Sequence, residues 1–255
     1  MNIKVLGSSG SVAQGKNTAA FLIDGFLLLD AGTISLSLSS NDLSKITHIF
    51  LTHAHLDHIK GIPFLIDNLA MKKQKKFITI YSGRPVIQDL KKHIFNNRIW
   101  PDFSKIPSPQ QGILRYHPIS IDEVISIGHY RIYSVQVNHT VPAYGYLVED
   151  ADRNALVYPG DSGPTEKIWE IMKGHRVSGL IVEVSFPNAL KKLALQSGHL
   201  TPSLLKGEIQ KMSVMPKKIF ITHPKTLYKK TIEKELNSIK GTVFEILDDG
   251  REIKI

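Results

Sequence analysis

Between Thr52 and His58 the chain reads Thr-His-Ala-His-Leu-Asp-His, which places four potential metal ligands within six residues. In an extended backbone residues i and i+2 point the same way, so His53 and His55 can converge on one ion. A tighter turn at Asp57-His58 can aim those two side chains toward a neighbouring ion. One isolated histidine is usually a satisfied core or surface residue, but chance explains His-x-His-x-Asp-His poorly, and metal ligation explains it well. The chain has eleven histidines and no cysteine. Disulfides, thiolate zinc sites, iron–sulfur clusters and cysteine nucleophiles are therefore excluded, and any transition metal must be held by nitrogen and oxygen.

A pair of ions needs more donors than one loop supplies. In sheet-based folds, sites gather where strands end. Three candidates sit at such places: His139 after the run Arg131–Val137, Asp161 after Ala155–Tyr158, and His223 after Lys218–Ile221. Asp161 alone reads as a turn residue in a glycine-flanked loop. Beside the other two it continues a repeated strand-then-ligand pattern, and its two carboxylate oxygens allow it to bridge.

The elements that must position these residues follow from apolar patterning. Strands are expected at Ile3–Leu6, Ala19–Ile23, Phe26–Leu29, His48–Leu51, Phe77–Tyr81, Arg131–Val137, Tyr144–Val148, Ala155–Tyr158, Leu180–Val184, Lys218–Ile221 and Thr242–Ile246. Helices are expected at Gly61–Ala70, Pro85–Asn96, Thr165–Lys173, Pro202–Lys211 and Thr226–Ile239, with Pro85 and Pro202 in first-turn positions. A hairpin-rich front and a mixed remainder suit an α/β arrangement of helices outside two stacked sheets. No linker marks a boundary, so residues 1–255 are expected to form one domain, with the irregular 97–112 stretch as a loop facing a bound ligand. Ile49-Phe50-Leu51-Thr52-His53 is echoed by Ile219-Phe220-Ile221-Thr222-His223, a hint of two related halves. The basic run Met71–Lys76 reads as a solvated helix end.

One motif invites a different reading. Gly10 to Lys16 spells G-x-x-x-x-G-K after a strand, nearly a phosphate-cradling loop. The next residue is Asn17, which has no hydroxyl for magnesium, and Ala19–Phe26 reads as a hairpin where that motif requires a helix. The glycines are expected to serve turns.

Composition sets the bounds. The 255 residues carry 32 basic against 23 acidic side chains, a net +9, with 42% hydrophobic and 22% charged residues. These values exclude a wholly disordered chain. No apolar run approaches the ~20 residues that span a bilayer, and Met1–Gly10 lacks a secretory signal. A cytoplasmic protein with no membrane partner is the expectation. The positive balance is a weak pointer to an anionic partner.

The constellation His53, His55, Asp57, His58, His139, Asp161 and His223 resembles the metallo-β-lactamase superfamily. The resemblance implies a four-layer αβ/βα sandwich of two mixed sheets and a binuclear metallohydrolase. It assigns His53, His55 and His139 to one ion, Asp57, His58 and His223 to the other, and Asp161 to both. Nitrogen-rich ligation favours zinc, manganese or iron over magnesium. Within the superfamily, Leu29–Thr33, Leu51–Pro63, Ile99–Phe103 and Ser197-Gly198-His199-Leu200-Thr201-Pro202 are similar to class II cyclic-nucleotide phosphodiesterases, over nearly the full chain. That implies hydrolysis of a 3′,5′-cyclic nucleotide (cyclic AMP or cyclic GMP), a small anionic phosphodiester, to the 5′-monophosphate.

Such a reaction accumulates charge on the leaving oxygen, so a positioned proton donor helps. His199 is the candidate, with Glu183 fixing its tautomer; Asp57 joins them as a catalytic residue as well as a ligand. The bland alternatives are a helix-entry histidine and a strand-end acid facing solvent. The Glu–His pair also resembles that of transfer-RNA 3′-processing endonucleases, the competing function. The short form of those enzymes carries an RNA-grasping arm between the third histidine and the bridging aspartate. Here only 21 residues separate His139 from Asp161, so nucleic acid is disfavoured as a partner. A third reading, of another class, is a metal- or nucleotide-binding module without turnover.

The remaining candidates are supporting ones. Asp30 is expected to brace the ligand loop. Trp100 and Phe103 either stack on a purine or anchor the proline-rich loop. Asn188 and Lys225 either meet the substrate or sit on the surface. His48, His93, His117, His129 and His175 read as structural or exposed. A homodimer would be the commonest assembly.

Overall fold

Leu27, Leu28 and Leu29 form a strand of three residues, all fully buried, and their side chains alternate between two different cores. Leu27 and Leu29 join the cluster of Ile3, Val5, Phe50, Tyr158 and Phe220, while Leu28 joins Ile49, Leu65 and Ile80. The same alternation recurs near the other end of the chain, where Phe220 enters the shared core and Ile219 and Ile221 enter a third cluster with Trp169, Leu205 and Ile232. Strands buried on both faces read as continuous apolar runs, which is why these were legible from sequence.

The computed structural model describes residues 1–34, 37–71, 76–120 and 122–255. The centre of the basic run, Lys72–Lys75, lies outside the described residues. One sheet has the order β14-β1-β2-β3-β4-β5-β6, built from β1 (Asn2–Gly7), β2 (Ala20–Ile23), β3 (Leu27–Leu29), β4 (His48–Phe50), β5 (Ile78–Gly83), β6 (Leu114–Ile119) and β14 (Glu252–Lys254). The other has the order β13-β12-β11-β10-β9-β8-β7, from β7 (Ile125–Ile127), β8 (Tyr130–Val137), β9 (Ala143–Glu149), β10 (Asn154–Tyr158), β11 (Arg176–Glu183), β12 (Ile219–Thr222) and β13 (Phe244–Ile246). Both are mixed. In the first, the pairs β3/β4, β4/β5 and β5/β6 are parallel; in the second, β10/β11, β11/β12 and β12/β13 are.

Helices cover the outer faces. Helix α3 (Gly61–Ala70) buries Ile62, Leu65, Ile66 and Leu69 against the first sheet. Helix α7 (Pro202–Lys211) and helix α8 (Lys229–Asn237) bury Leu205, Ile232 and Leu236 against the second. The expected four-layer sandwich of two mixed sheets is thus the observed fold.

Several element boundaries differ from expectation. Strands β6, β7 and β14 were not anticipated, and neither were the short helices α1 (Ser40–Leu43), α2 (Leu56–Ile59) and α6 (Lys191–Gln196). The helix expected over Pro85–Asn96 is α4 (Arg84–Asp89) followed by a π-helical turn, Leu90–Ile94. The one expected over Thr165–Lys173 contracts to α5 (Lys167–Glu170), and α8 is preceded by a 3₁₀ turn at Thr226–Tyr228. The near-phosphate loop is followed by strand β2, with Ser9 bridging Thr18, and not by a helix. No helix among the described residues is long and apolar enough to cross a membrane.

Candidate metal centre

All seven candidate ligands meet at one end of the sandwich, where strands of both sheets run out. His53 lies three residues past β4, and Asp57 and His58 sit on α2. His139, Asp161 and His223 follow β8, β10 and β12, and Glu183 is the last residue of β11. Donor atoms of His53, His55 and His139 lie within 4.8 Å of one another, as do those of Asp57, His58, Asp161 and His223, and those of Glu183, His199 and His223. Asp161 Oδ2 stands 3.2 Å from His58 Nε2, 3.2 Å from His223 Nε2 and 3.9 Å from His53 Nε2. It is therefore a carboxylate oxygen that faces both ligand groups.

Four of the five imidazoles have one nitrogen committed to an outer partner and the other turned inward, whereas among the described residues His55 Nδ1 meets only His139 Nε2, at 3.4 Å. His53 Nδ1 donates to Thr52 Oγ1 at 3.0 Å, whose hydroxyl donates in turn to Asp30 Oδ2 at 2.9 Å. His58 Nδ1 donates to Asp30 Oδ2 at 2.8 Å. His139 Nδ1 donates to the Gly198 carbonyl at 2.9 Å. His223 Nδ1 donates to Ser185 Oγ at 2.9 Å. Such outer partners fix the tautomer that leaves a lone pair for a cation.

The inward Nε2 atoms of His53 and His58 are fully buried and have no hydrogen-bond partner. A buried, unsatisfied ring nitrogen costs about 1–3 kcal/mol, and two of them facing one carboxylate are what a cation would satisfy. The donor set, five imidazoles and two carboxylates, fits a transition metal of the zinc type.

Burial lowers the pKa of His53, His55 and His139, assisted by repulsion from neighbouring histidines (His58 and His139 among them, and His199 for His139), which favours the neutral ligating form. Burial also works against charge on His58, but Asp161 and Asp30 outweigh it and raise that pKa well above the usual histidine value. Burial would raise the pKa of Asp161, yet His223 and His58 hold it well below the usual carboxylate range.

Asp30 braces the ligand loop, as expected. Fully buried, it accepts from Thr52 N at 2.8 Å, from His58, and from Tyr158 OH at 2.7 Å. Asp30 and His223 each follow a strand with φ in the left-handed region, 55° and 64°. Holding a non-glycine residue there costs of order 1–3 kcal/mol.

The Glu183–His199 pair forms. His199 Nδ1 donates to Glu183 Oε1 at 2.9 Å, and Leu200 N donates to the same oxygen at 3.0 Å. Glu183 is almost fully buried, so it does not face solvent. Burial depresses the His199 pKa, but Glu183 overrides it and leaves it raised. The His199 ring lies 5.3 Å from that of His139 and 5.4 Å from that of His223, between the two sets.

Ser185 was missed. Its hydroxyl donates to Glu183 Oε2 at 2.9 Å while accepting from His223, so it joins the pair to the ligand set. One serine after a strand carries no spacing signal, and only its place between two flagged acid and histidine positions could have raised it. Gly10, expected to serve a turn, also has a packing role at the site: a Cβ there would sit 2.3 Å from the His223 carbonyl oxygen, so its bare backbone lets His223 pass.

Phe103 lies in the first core, and the half-buried Trp100 packs beside it, edge-on to Phe64 at 5.3 Å. The Asn188 side chain accepts from Ser203 N, and Lys225 Nζ donates to the Gly10 carbonyl, so both are engaged by the protein itself. Tyr81 approaches His48, Glu123 approaches His117, and Glu149 approaches His175, in keeping with structural roles.

The chain is 27% identical over 253 residues to a probable 3′,5′-cyclic-nucleotide phosphodiesterase of Yersinia pestis, covering 82% of this chain and 71% of that one. It is 22% identical over 300 residues to a ribonuclease Z of Archaeoglobus fulgidus, covering 95% and 93%. Among solved structures, unliganded yeast PDE1 superposes with a TM-score of 0.83 at 19% identity over 98% of both chains, a likeness of fold. The family described as "Beta-lactamase superfamily domain" matches residues 22–223, a span running from β2 to the last candidate ligand. On that match and the metal-capable site at its strand ends, the chain belongs to the metallo-β-lactamase superfamily of metal-dependent hydrolases.

Proposed function

We propose that this protein hydrolyses a 3′,5′-cyclic nucleotide to the 5′-nucleoside monophosphate at a site holding two divalent cations, zinc in the first instance and manganese or iron on the same donors. His53, His55 and His139 would hold one, Asp57, His58 and His223 the other, with Asp161 shared. When bound, such a pair neutralises phosphoryl oxygens and lowers the pKa of a bound water toward ~7.

The protein's own residues supply orientation and a proton. Glu183 holds His199 by Nδ1, which leaves Nε2 free to carry the proton that the leaving ribose oxygen needs. Glu183 also raises the His199 pKa, so the imidazole keeps that proton closer to neutral pH. Asp30, Thr52, Ser185 and the Gly198 carbonyl keep the ligand rings in one tautomer and one orientation.

The single observation that carries the reading is the position of the Glu183–His199 pair, buried beside His139 and His223. A phosphodiester's alkoxide leaving group gives that pair a task; a binding module gives it none. The test is turnover of cyclic AMP and cyclic GMP by protein loaded with zinc, manganese or iron. We expect one or both to be hydrolysed, and His199→Ala to lower kcat about 10²–10⁴-fold with metal content unchanged. No turnover of either by any metal form overturns the reading.

A second reading is endonucleolytic cleavage of transfer-RNA precursors, favoured by the ribonuclease Z relatives and the net charge of +9. Against it, the chain between His139 and Asp161 is taken up by the β9–β10 hairpin, with no room for an RNA-grasping arm. Cleavage of a precursor transfer RNA at rates exceeding those on cyclic nucleotides would reverse the preference.

A further inference from the structure

Beside His55 the surface folds into a cleft of about 180 Å³. Ile59, Ile94, Val141 and Pro142 give it apolar walls, and Asp89 and His93 add polar groups. Pockets that enclose a whole drug-sized ligand run to about 300–1,000 Å³, so this one has room for part of a substrate, such as one ring system. His55 belongs both to the cleft and to the cluster with His53 and His139, so an occupant lies next to the reacting centre.

The polar groups are unusual in two ways. Asp89 ends α4, and His93 sits four residues later in the π-helical turn Leu90–Ile94. Such turns frequently mark functional sites. Neither side chain has a hydrogen-bond or ion-pair partner among the described residues, although Asp89 is half-buried. An ionised carboxylate only accepts, so the group that pairs with it in this cleft is a donor, N–H or O–H.

We infer that this cleft seats the nucleobase of the substrate, with Asp89 accepting a hydrogen bond from an exocyclic amino group. The apolar walls take the flat faces of the ring, and His93 offers one donor and one acceptor to the ring edge. This inference rests on the cyclic-nucleotide reading and specifies which end of the substrate lies where. The preferred bases are those with an amino group.

The experiment compares cyclic AMP with the 3′,5′-cyclic phosphate of purine riboside, which lacks only the 6-amino group, on metal-loaded wild type and Asp89→Leu, which removes the acceptor. We expect the wild type to favour cyclic AMP in kcat/KM by about ten- to a hundredfold, the range for a hydrogen bond to a charged group. In Asp89→Leu that ratio should fall to within about threefold of unity. A second variant, Val141→Trp, fills the cleft while leaving Asp89 in the sequence. It should raise KM for both substrates, and adenosine 5′-monophosphate should lose the saturation transfer from protein to its adenine protons seen with wild type.

Equal turnover of the two substrates by wild type, or a ratio that survives in Asp89→Leu, overturns the base seat and leaves the phosphodiesterase reading standing. Adenine saturation transfer that persists in Val141→Trp also overturns it. Hydrolysis of neither substrate by wild type sinks the phosphodiesterase reading, and the seat falls with it.

Discussion

The two sheets contribute to one site by opposite means. In the first, a single strand, β4, leads into a loop and helix turn that deliver His53, His55, Asp57 and His58 within six residues. In the second, β8, β10, β11 and β12 each deliver one residue: His139, Asp161, Glu183 and His223. Strands β4 and β12 carry the Ile-Phe-x-Thr-His echo, and they occupy matching places, each with a parallel neighbour on both sides. One half thus holds its ligands by local chain geometry, the other by sheet register. The difference teaches that the site exists only once the sheets have stacked, because each ligand group draws from both halves.

The comparison breaks most sharply at Asp161, the carboxylate facing both groups. Asp161→Asn keeps the side chain's shape and removes its charge. It should lower turnover at least about a thousandfold, since cation-based charge stabilisation is worth several kcal/mol. Metal analysis should show fewer ions per chain, while circular dichroism should show the fold intact. An unaltered metal content would separate Asp161 from both groups.

Cations that draw ligands from both sheets should also staple them. Chelation of the as-purified protein should lower its Tm, and readdition of zinc should restore it. At about a hundredfold excess over Kd the stabilisation is about 2.7 kcal/mol, or some 5–10 °C for a chain of this size. His139→Ala and His223→Ala, one from each group, should each remove about half of the rise. A metal-independent Tm would mean that the two halves are joined by their shared core alone.

The halves also differ in what braces them. Asp30 supports the loop ligands, and Ser185 supports His223 and Glu183. Ser185→Ala leaves two buried polar atoms short of a partner and should weaken metal retention about 10–100-fold. Because His53, His55 and His139 do not touch Ser185, chelator competition should show one weakened ion and one unchanged. Equal weakening of both would mean that the strand-end half does not act through separate braces.

This asymmetry explains what was legible in the sequence. The contiguous loop announced itself by spacing. Asp161 and His223 could be anticipated because the buried strands β10 and β12 read as apolar runs whose last residues mark the sheet's mouth; β8 before His139 is only partly buried and was legible through its β-branched and aromatic residues. The three missed strands, β6, β7 and β14, are all sheet edges. Edge strands are half exposed and tolerate residues such as Pro118, so their pattern is diluted. Ser185 and Gly10 were beyond reading as site residues. A hydroxyl between two histidines, and a backbone that must pass within van der Waals contact of a third element, are tertiary facts without a local signature.

The smallest effect is expected at Lys16, in the loop that mimics a phosphate cradle. A lysine with that task could not be removed without abolishing activity. Here its ammonium lies 3.4 Å from Asp248 at the surface, and Asp248 keeps Lys229 at 2.6 Å when Lys16 is gone. Exposed pairs of this kind contribute about 0–1 kcal/mol. Lys16→Ala should therefore shift the Tm by no more than about 4 °C and leave cyclic-nucleotide turnover unchanged. A hundredfold loss of activity would place the Gly10–Lys16 loop in the site, and the first sheet would then contribute by two segments instead of one.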